Sequence, residues 1–359
     1  MLTNAPVGGP ERIVVVQSAY LGDLILTTPL LRELRRIAPH AELSVVVAPR
    51  AAALAPCLPA ADRVLSWRKR AGIYGLRELW RTGRALAADR FDLAIAAQRS
   101  IRSGLALSLG RVPRRIGFAG SQGAWTYHQR VPWRAERHAA RRLLDLAIPL
   151  DPSAAGADPR PSLSVPHEAE SSAAAKLAAL GVADGAPLVA IAPGSAWPTK
   201  RWTEDGFAAV ARAAARAGVV PVLVGSPEEA AACERIRASA GGGAVVAAGQ
   251  LTLPETVAVV RRSEVAVGND SAIPHIAAAV GTAVVAVFGP TVPEQGSAPR
   301  GERVEIVGLP GLACRPCGRH GGRRCPLEHH RCMRDLRPEP VVDAMLRCIA
   351  GRGGQVLPG

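Results

Sequence analysis

The sequence predicts an α/β fold made of two doubly wound parallel sheets, and three observations carry that reading. Short β-branched runs alternate with stretches whose apolar residues recur at helical spacing. The alternation breaks once near the middle, in a stretch rich in Pro, Ala, Gly and Ser, and then resumes over a similar length. Strands separated by helices of about 10–15 residues imply βαβ units, hence parallel sheets covered on both faces. At roughly 100–200 residues per domain, 359 residues suit two domains, with one large α/β domain as the competitor.

The run Arg12-Ile-Val-Val-Val-Gln17 reads as a strand, followed by a turn at Ser18 to Gly22 and a helix from Asp23 to Ile37. Strands are expected at 42–48 and 63–67, a helix at 75–88, and strands at 91–97 and 114–118. The segment 151–166 (Asp-Pro-Ser-Ala-Ala-Gly-Ala-Asp-Pro-Arg-Pro and onward) favours extended and turn conformations and reads as a linker. Beyond it come a helix at 169–180, strand 188–192, helix 203–217, strand 219–224, helix 227–240 and strand 244–248. A short helix from Pro254, strand 265–268, helix 271–280 and strand 283–288 complete the second half. The expected plan is a Rossmann-like acceptor domain over 1–150, the linker, and a Rossmann-like nucleotide-sugar domain over 167–335 with a Cys-rich loop at 312–333. A closing segment, 336–359, is expected to carry a helix that packs back on the first domain. The two domains should face a central cleft, since ligands of such sheets sit at the carboxyl ends of the strands.

Composition narrows the function classes. With 48% hydrophobic and 21% charged residues the chain is an ordinary folded protein, not a disordered or collagen-like one. It has no apolar run of the ~18–20 residues that span a bilayer, and Met1 to Pro10 lacks a basic region followed by an apolar stretch. A cytoplasmic location is therefore expected, and with it no disulfide framework. The net charge of +14 is uneven: residues 1–180 carry 25 basic and 14 acidic side chains, the remainder 19 and 16. The first half should meet something anionic, for which nucleic acid, a membrane surface and a phosphorylated substrate all qualify.

Three motifs can carry chemistry. Gly22-Asp23 follows the first strand. Asp23 suits either a helix cap or a general base aimed at a hydroxyl, and the absence of Gly-x-Gly-x-x-Gly there argues against a dinucleotide. Pro193-Gly194-Ser195 with Lys200-Arg201-Trp202 offers free backbone, a hydroxyl and fixed positive charge, which suit a diphosphate; an ordinary solvated loop is the plainer reading. Gly268-Asn-Asp-Ser-Ala-Ile-Pro-His275 delivers Asp270 and Ser271 to a helix N-terminus, where amides and the helix dipole favour an anion, with His275 one turn in; a simple cap and a surface histidine are the plainer reading.

Taken in order with Thr27-Thr28-Pro29, Gly225-Ser226, Glu228 and Gly289-Pro290-Thr291, these motifs resemble glycosyltransferase family 9, the ADP-heptose:lipopolysaccharide heptosyltransferases, from about Arg12 to Ile349. The pattern Cys314-x-x-Cys317, then Cys325-Pro-Leu-Glu-His-His-Arg-Cys332, looks like the heptosyltransferase II branch. The resemblance implies a GT-B architecture and inverting transfer of L-glycero-D-manno-heptose from ADP-heptose to the heptosyl-Kdo-lipid A inner core, with no cofactor required for catalysis. It implies that Asp23 is the base, that Lys200 and Ser195 meet the donor phosphates, that Glu228 lies near the ribose, and that Asp270, Ser271 and His275 form the donor turn. Ala272, where the family usually has glycine, and Pro274 depart from the pattern.

On the acceptor side, Gly22, Arg99 and Arg102 are expected to bind the acceptor, the two arginines taking its anionic groups, while the outer arginines meet an anionic inner-membrane surface. Aromatics are only 4% and form no ladder among the arginines, so nucleic acid is not expected. Cys314, Cys317, Cys325 and Cys332 read first as free thiols in a loop ordered by packing; one tetrahedral structural zinc ion, with His320, His329 and His330 as alternative ligands, comes second, ahead of a disulfide or an iron–sulfur cluster. The reading is thus a cytoplasmic glycosyltransferase, peripheral at the inner membrane. Its rivals are a heptosyltransferase I acting on Kdo-lipid A, another family 9 transferase, a two-Rossmann epimerase, and a basic zinc-containing nucleic-acid-binding module.

Overall fold

The computed structural model describes residues 9–69 and 72–351 and separates into two compact units, Met1–Pro161 and Ser162–Gly359. Residues 1–8 and 352–359, at the ends of the first and last expected segments, lie outside the described residues, as does Arg70. In the first unit β1 (Arg12–Gln17), α1 (Leu21–Ile37), β2 (Glu42–Val47), α2 (Pro49–Ala52), β3 (Arg63–Ser66) and α3 (Gly72–Ala88) come first. They are followed by β4 (Leu93–Ala96), α4 (Ile101–Leu109), β5 (Arg114–Phe118), β6 (Gln129–Val131) and α5 (Ala139–Leu144). The sheet order is β3-β2-β1-β4-β5-β6, all parallel. Val15 of β1 stands in register with Val45 of β2 and Ile95 of β4, and Val14, Val15 and Val16 are buried, as a central strand covered on both faces requires.

The second unit runs α6 (His167–Ala179), β7 (Leu188–Ala192), α7 (Glu204–Arg216), β8 (Val220–Leu223), α8 (Ala230–Ser239), β9 (Val245–Val246) and α9 (Leu253–Arg262). It continues with β10 (Val265–Asn269), α10 (Ala272–Ala279), β11 (Ala283–Val287), β12 (Val304–Val307), α11 (Arg331–Arg334) and α12 (Glu339–Ile349). Its parallel sheet is ordered β12-β11-β10-β7-β8-β9. One core cluster joins the sheet to residues of α7, α8 and α12, the other to residues of α6 and α9. In each sheet the strand order reverses at one point, between β1 and β4 and between β7 and β10, and the strand ends flanking that point are where open α/β sheets bind ligands.

Two expectations differ from the structure, and two edge strands were not expected at all. The closing helix was expected to pack on the first unit, whereas α12 buries Val341, Ala344, Met345 and Cys348 in the core of the second unit, beside β10, β11, β12 and α7. Its apolar stripe is spent there. The stretch after 151 is not a free linker up to 161. It makes a 3-10 turn at Pro152–Gly156 and is held by two arginines of α1: Arg36 pairs with Asp151 at 2.5 Å and Arg32 donates to the Asp158 carbonyl at 2.6 Å. Finally β6 and β12 carry no apolar run, because each is a short edge strand of its sheet with polar residues among its few positions. Among the described residues no helix is long and apolar enough to cross a membrane.

The best-satisfied charge in the second unit locks α9 to α6. Glu255, at the third position of α9, accepts from the Thr252 N–H (2.6 Å), the Ser172 hydroxyl (2.5 Å) and Lys176 Nζ (2.7 Å). Burial opposes its ionisation, yet Lys176, Ser172 and Thr252 outweigh burial and bring its pKa down to about 2. Because the folded value lies below the unfolded one, the stabilisation is complete above about pH 5 and is lost as pH falls toward 2. Glu255→Gln should therefore lower the free energy of unfolding by about 2 kcal/mol at pH 7, with the deficit to wild type shrinking in urea titrations as pH is taken from 5 toward 2. An equal deficit at every pH would contradict this assignment.

Candidate active site

In the second unit the site is organised by Asn269, the last residue of β10. Its side chain is fully buried: the amide donates to the Pro193 carbonyl at 2.7 Å, and its oxygen accepts from the Trp202 N–H at 3.0 Å. Both ends of the loop after β7 are thereby tied to the end of the neighbouring strand. Trp202 is buried in turn, its indole N–H donating to the Leu336 carbonyl (3.1 Å) and its ring meeting Phe207 edge-on at 5.1 Å. Gly206 is required beneath it, since a Cβ there would come within 2.5 Å of the indole.

The loop held in this way presents Lys200. Its ammonium lies 2.5 Å from Asp270 Oδ2, and the Thr291 hydroxyl donates to the same oxygen at 2.6 Å. Lys200, Asp270 and Thr291 come from three separate loops at the carboxyl ends of β7, β10 and β11, and Asp270 and Thr291 are buried. A lysine has three N–H donors, and the pair with Asp270 uses one, so the ammonium is aimed while keeping the capacity to meet an oxyanion. Ser195 is buried in the same loop, with its carbonyl accepting from Arg201 Nε at 2.9 Å and its hydroxyl 3.4 Å from the Trp197 N–H.

The Cys-rich loop buttresses this arrangement. Thr199 donates to the Gly322 carbonyl (3.2 Å from N, 2.9 Å from Oγ1) and accepts from the Gly322 N–H at 2.7 Å, while His330 Nε2 lies 2.8 Å from the Thr199 carbonyl. Arg315 of the same loop donates to the Phe288 and Thr291 carbonyls at 3.0 and 3.2 Å. Cys314, Cys317, Cys325 and Cys332 lie near one another and are free of disulfides, and among the described residues no three His, Cys, Asp or Glu side chains are placed to hold a metal. Hydrogen bonds order the loop, together with Cys332 and Met333, which are part of the second unit's core; burial pushes the Cys332 thiol up to about 11.

At the start of α10 the structure settles both departures from the family pattern. Ala272 opens the helix in ordinary helical geometry, and Pro274 falls in its first turn, where an amide hydrogen has no helical partner to lose. Ser271 precedes it in extended conformation without a capping hydrogen bond, and His275 is buried, not a surface residue. Glu228 is exposed on the turn Pro227–Glu229. Its neighbour Glu229, which the sequence reading passed over, turns inward. It accepts from the Ser226 N–H at 2.8 Å, and a Cβ on Gly194 would lie 1.8 Å from its Oε1. The spacing Ser226-x-x-Glu229 is that of a capping box and was the available signal. Asn269, Thr199 and Thr291 were also missed as organising residues, because buried hydrogen-bonding partners between distant loops leave no local pattern.

In the first unit Gly22 and Asp23 are not in the loop but in the first turn of α1, which starts at Leu21. Asp23 Oδ2 accepts from the Tyr20 N–H at 3.1 Å; Asp23 is not the N-cap itself but the third residue of the helix, closing back onto the N-cap Tyr20. The buried Gln17 amide bonds Thr27 Oγ1 (3.1 Å) and the Ala97 carbonyl (3.2 Å), and Thr27 donates to the Asp23 carbonyl at 2.7 Å. This chain fixes the start of α1 over the ends of β1 and β4. Beside it the Gln98 carboxamide, with its oxygen toward Ser18 and Lys69, accepts from the Ser18 N–H (3.2 Å) and Lys69 Nζ (3.0 Å). Lys69 is desolvated there and lies near Arg102, and burial followed by that like charge brings its pKa down to about 8. Arg99 is engaged differently, donating to the Gly120 carbonyl (2.9 and 2.6 Å) and lying 4.9 Å from the Trp133 ring centre.

Comparison with known proteins bears on the family and the fold. Residues 79–327 match the family model for Glycosyltransferase family 9 (heptosyltransferase). Lipopolysaccharide heptosyltransferase 2 of Salmonella typhimurium is 24% identical over 95% of this chain and 99% of its own length. The Escherichia coli protein of the same name is 24% identical over 93% and 97%. The solved structure of E. coli ADP-heptose lps heptosyltransferase II superposes with a TM-score of 0.78 at 21% identity, covering 96% of this chain and all of that one, which is a likeness of fold.

The chain belongs to glycosyltransferase family 9, and its fold is of the GT-B type. If Asn269 organises the site, Asn269→Ala should leave the Pro193 carbonyl and Trp202 N–H unpaired and cost about 2–4 kcal/mol in chemical denaturation. A loss below about 0.5 kcal/mol, the size of an ordinary surface change, would contradict the staple.

Proposed function

We propose that this family 9 glycosyltransferase moves L-glycero-D-manno-heptose with inversion from ADP-heptose to the heptosyl-Kdo-lipid A inner core of lipopolysaccharide, working in the cytoplasm at the inner membrane. The observation that carries the reading is the Lys200–Asp270–Thr291 cluster, set at the reversal point of the second sheet beside the N-terminus of α10. A fixed cation, a hydroxyl at Ser195 and helix-terminal amides suit the diphosphate of a sugar nucleotide. Full-length relatives named for heptosyltransferase 2 support the donor and the acceptor.

In this mechanism Asp23 takes the proton of the acceptor hydroxyl as that oxygen attacks the anomeric carbon from the face opposite the leaving ADP. The carbon passes through an oxocarbenium-like state. Charge growing on the departing diphosphate is offset by Lys200, by Ser195 and by the first amides of α10, and these groups are already oriented before reaction. Glu228 and His275 flank the nucleoside, and Lys69 with Arg102 meets an anionic group of the acceptor's inner core, with Gly22 and Arg99 at its edge. The mechanism requires no metal.

The test mixes the purified protein with ADP-heptose and either Kdo-lipid A or heptosyl-Kdo-lipid A, and reads mass. Gain of one heptose by heptosyl-Kdo-lipid A is expected; gain by Kdo-lipid A alone, or turnover only with uridine-linked sugars, would overturn the reading. Asp23→Asn should retain donor affinity and lower turnover by about 10²–10⁴-fold. Turnover within a few-fold of wild type would remove Asp23 as the base.

A further inference from the structure

Of the large apolar side chains exposed among the described residues of the first unit, Tyr20, Ile101, Leu109 and Trp125 lie on other elements, while the rest gather on one helix. Three lie within seven residues of α3: Tyr74 is 64% exposed, Leu76 67% and Trp80 54%. Buried Gly75, Leu79, Gly83 and Leu86 face the unit's interior, so the opposite surface of α3 is an unpartnered face. Leu76 and Trp80 are one turn apart on it.

The same face is basic. Arg77, Arg81 and Arg84 are exposed between the Leu76–Trp80 stripe and Tyr74, and Arg84 stacks 4.9 Å from the Trp80 ring centre. Glu78, the only acidic residue of the helix, points to the far flank and is half-buried. A large aromatic, an aliphatic and three arginines with no exposed carboxylate among them is the pattern of a helix lying in a membrane interface: the apolar side chains enter the acyl boundary and the guanidinium groups remain among anionic headgroups. A protein partner would more commonly offer a hydrophobic core ringed by mixed charge.

We propose that this face of α3 docks the protein on an anionic lipid surface. Because α3 follows β3, its first turn with Tyr74 lies toward the carboxyl edge of the sheet, where Lys69 and Arg102 stand. Docking would present that edge to headgroups at the depth of a lipid-borne acceptor. The inference rests on the proposed reading for that setting; binding itself is measured without turnover.

The experiment is flotation of the full-length protein with vesicles of phosphatidylcholine alone or in equal parts with phosphatidylglycerol, at low and high salt. Wild type should float with the anionic vesicles and be released by salt. Leu76→Ser with Trp80→Ser should weaken partitioning about tenfold or more, and Arg77→Glu with Arg81→Glu should weaken it by about fivefold per arginine. Arg216→Glu with Arg337→Glu, the same charge change in the second unit, should not. Absence of wild-type binding, equal binding by the α3 variants, or equal loss in the second-unit control would overturn the proposal. So would light scattering that shows a dimer dissolved by the Leu76 and Trp80 changes, with no lipid binding, since a second copy would then cover the face. Turnover of a delipidated acceptor should be unchanged in the α3 variants. Vesicle binding without turnover on any acceptor would instead count against the transferase reading alone.

Discussion

The buried carboxamide of Asn269 is the constraint on which the second unit's site depends. A fully buried amide left unmatched costs about 1–3 kcal/mol for each polar group involved. Here it is matched on both sides, by Pro193 and by Trp202, and those residues bracket the loop that holds Lys200. The loop can be long and irregular in the middle because its ends are pinned to a central strand. Lys200 then reaches Asp270 from one side while Thr291 reaches it from the other, and Arg315 secures the carbonyl of Thr291. A buried ion pair adds little net stability when desolvation is counted. Its value in this molecule is orientation, which is the property an electrostatic catalyst needs before its substrate arrives.

The two units solve different problems with the same topology. In the second, charges at the strand ends are paired and the surrounding loops are cross-linked by hydrogen bonds from the Cys-rich segment. In the first, the strand ends carry Lys69 close to Arg102, with hydroxyls and a carboxamide as its contacts. Desolvating a cation beside another cation is unfavourable until an anion joins them. Under the proposed function, a carboxylate or phosphate of the acceptor would be the anion that joins them.

Much of this was legible in the chain. The β-branched runs at 12–17, 188–192, 265–268 and 283–288 located the central strands, because strands buried on both faces tolerate little else. Lys200, Asp270 and Ser195 could be singled out because glycine, a small hydroxyl residue and fixed charges after a strand are what an anion-binding turn would need. Other features were hidden for physical reasons. The edge strands β6 and β12 are short and partly polar. Glu228 and Glu229 share a residue type; the spacing Ser226-x-x-Glu229 marks the second as the capping-box partner, but that its carboxylate packs onto Gly194 is visible only in the structure. Four cysteines at metal-like spacing proved to belong to a loop ordered by Arg315, Thr199 and His330, contacts between residues over a hundred positions apart in two of the three cases. Spacing cannot report partners supplied by another loop.

The central claim is that Lys200, aimed by Asp270, grips the donor's diphosphate. The most direct measurement is calorimetric titration of ADP into wild type, Lys200→Met, Asp270→Asn and the double variant, with thermal melting to confirm that each is folded. The account predicts that Lys200→Met weakens ADP binding by about tenfold or more in both backgrounds, since the cation and not its carboxylate partner meets the phosphates. Unchanged ADP affinity in folded Lys200→Met and in the double variant would contradict it.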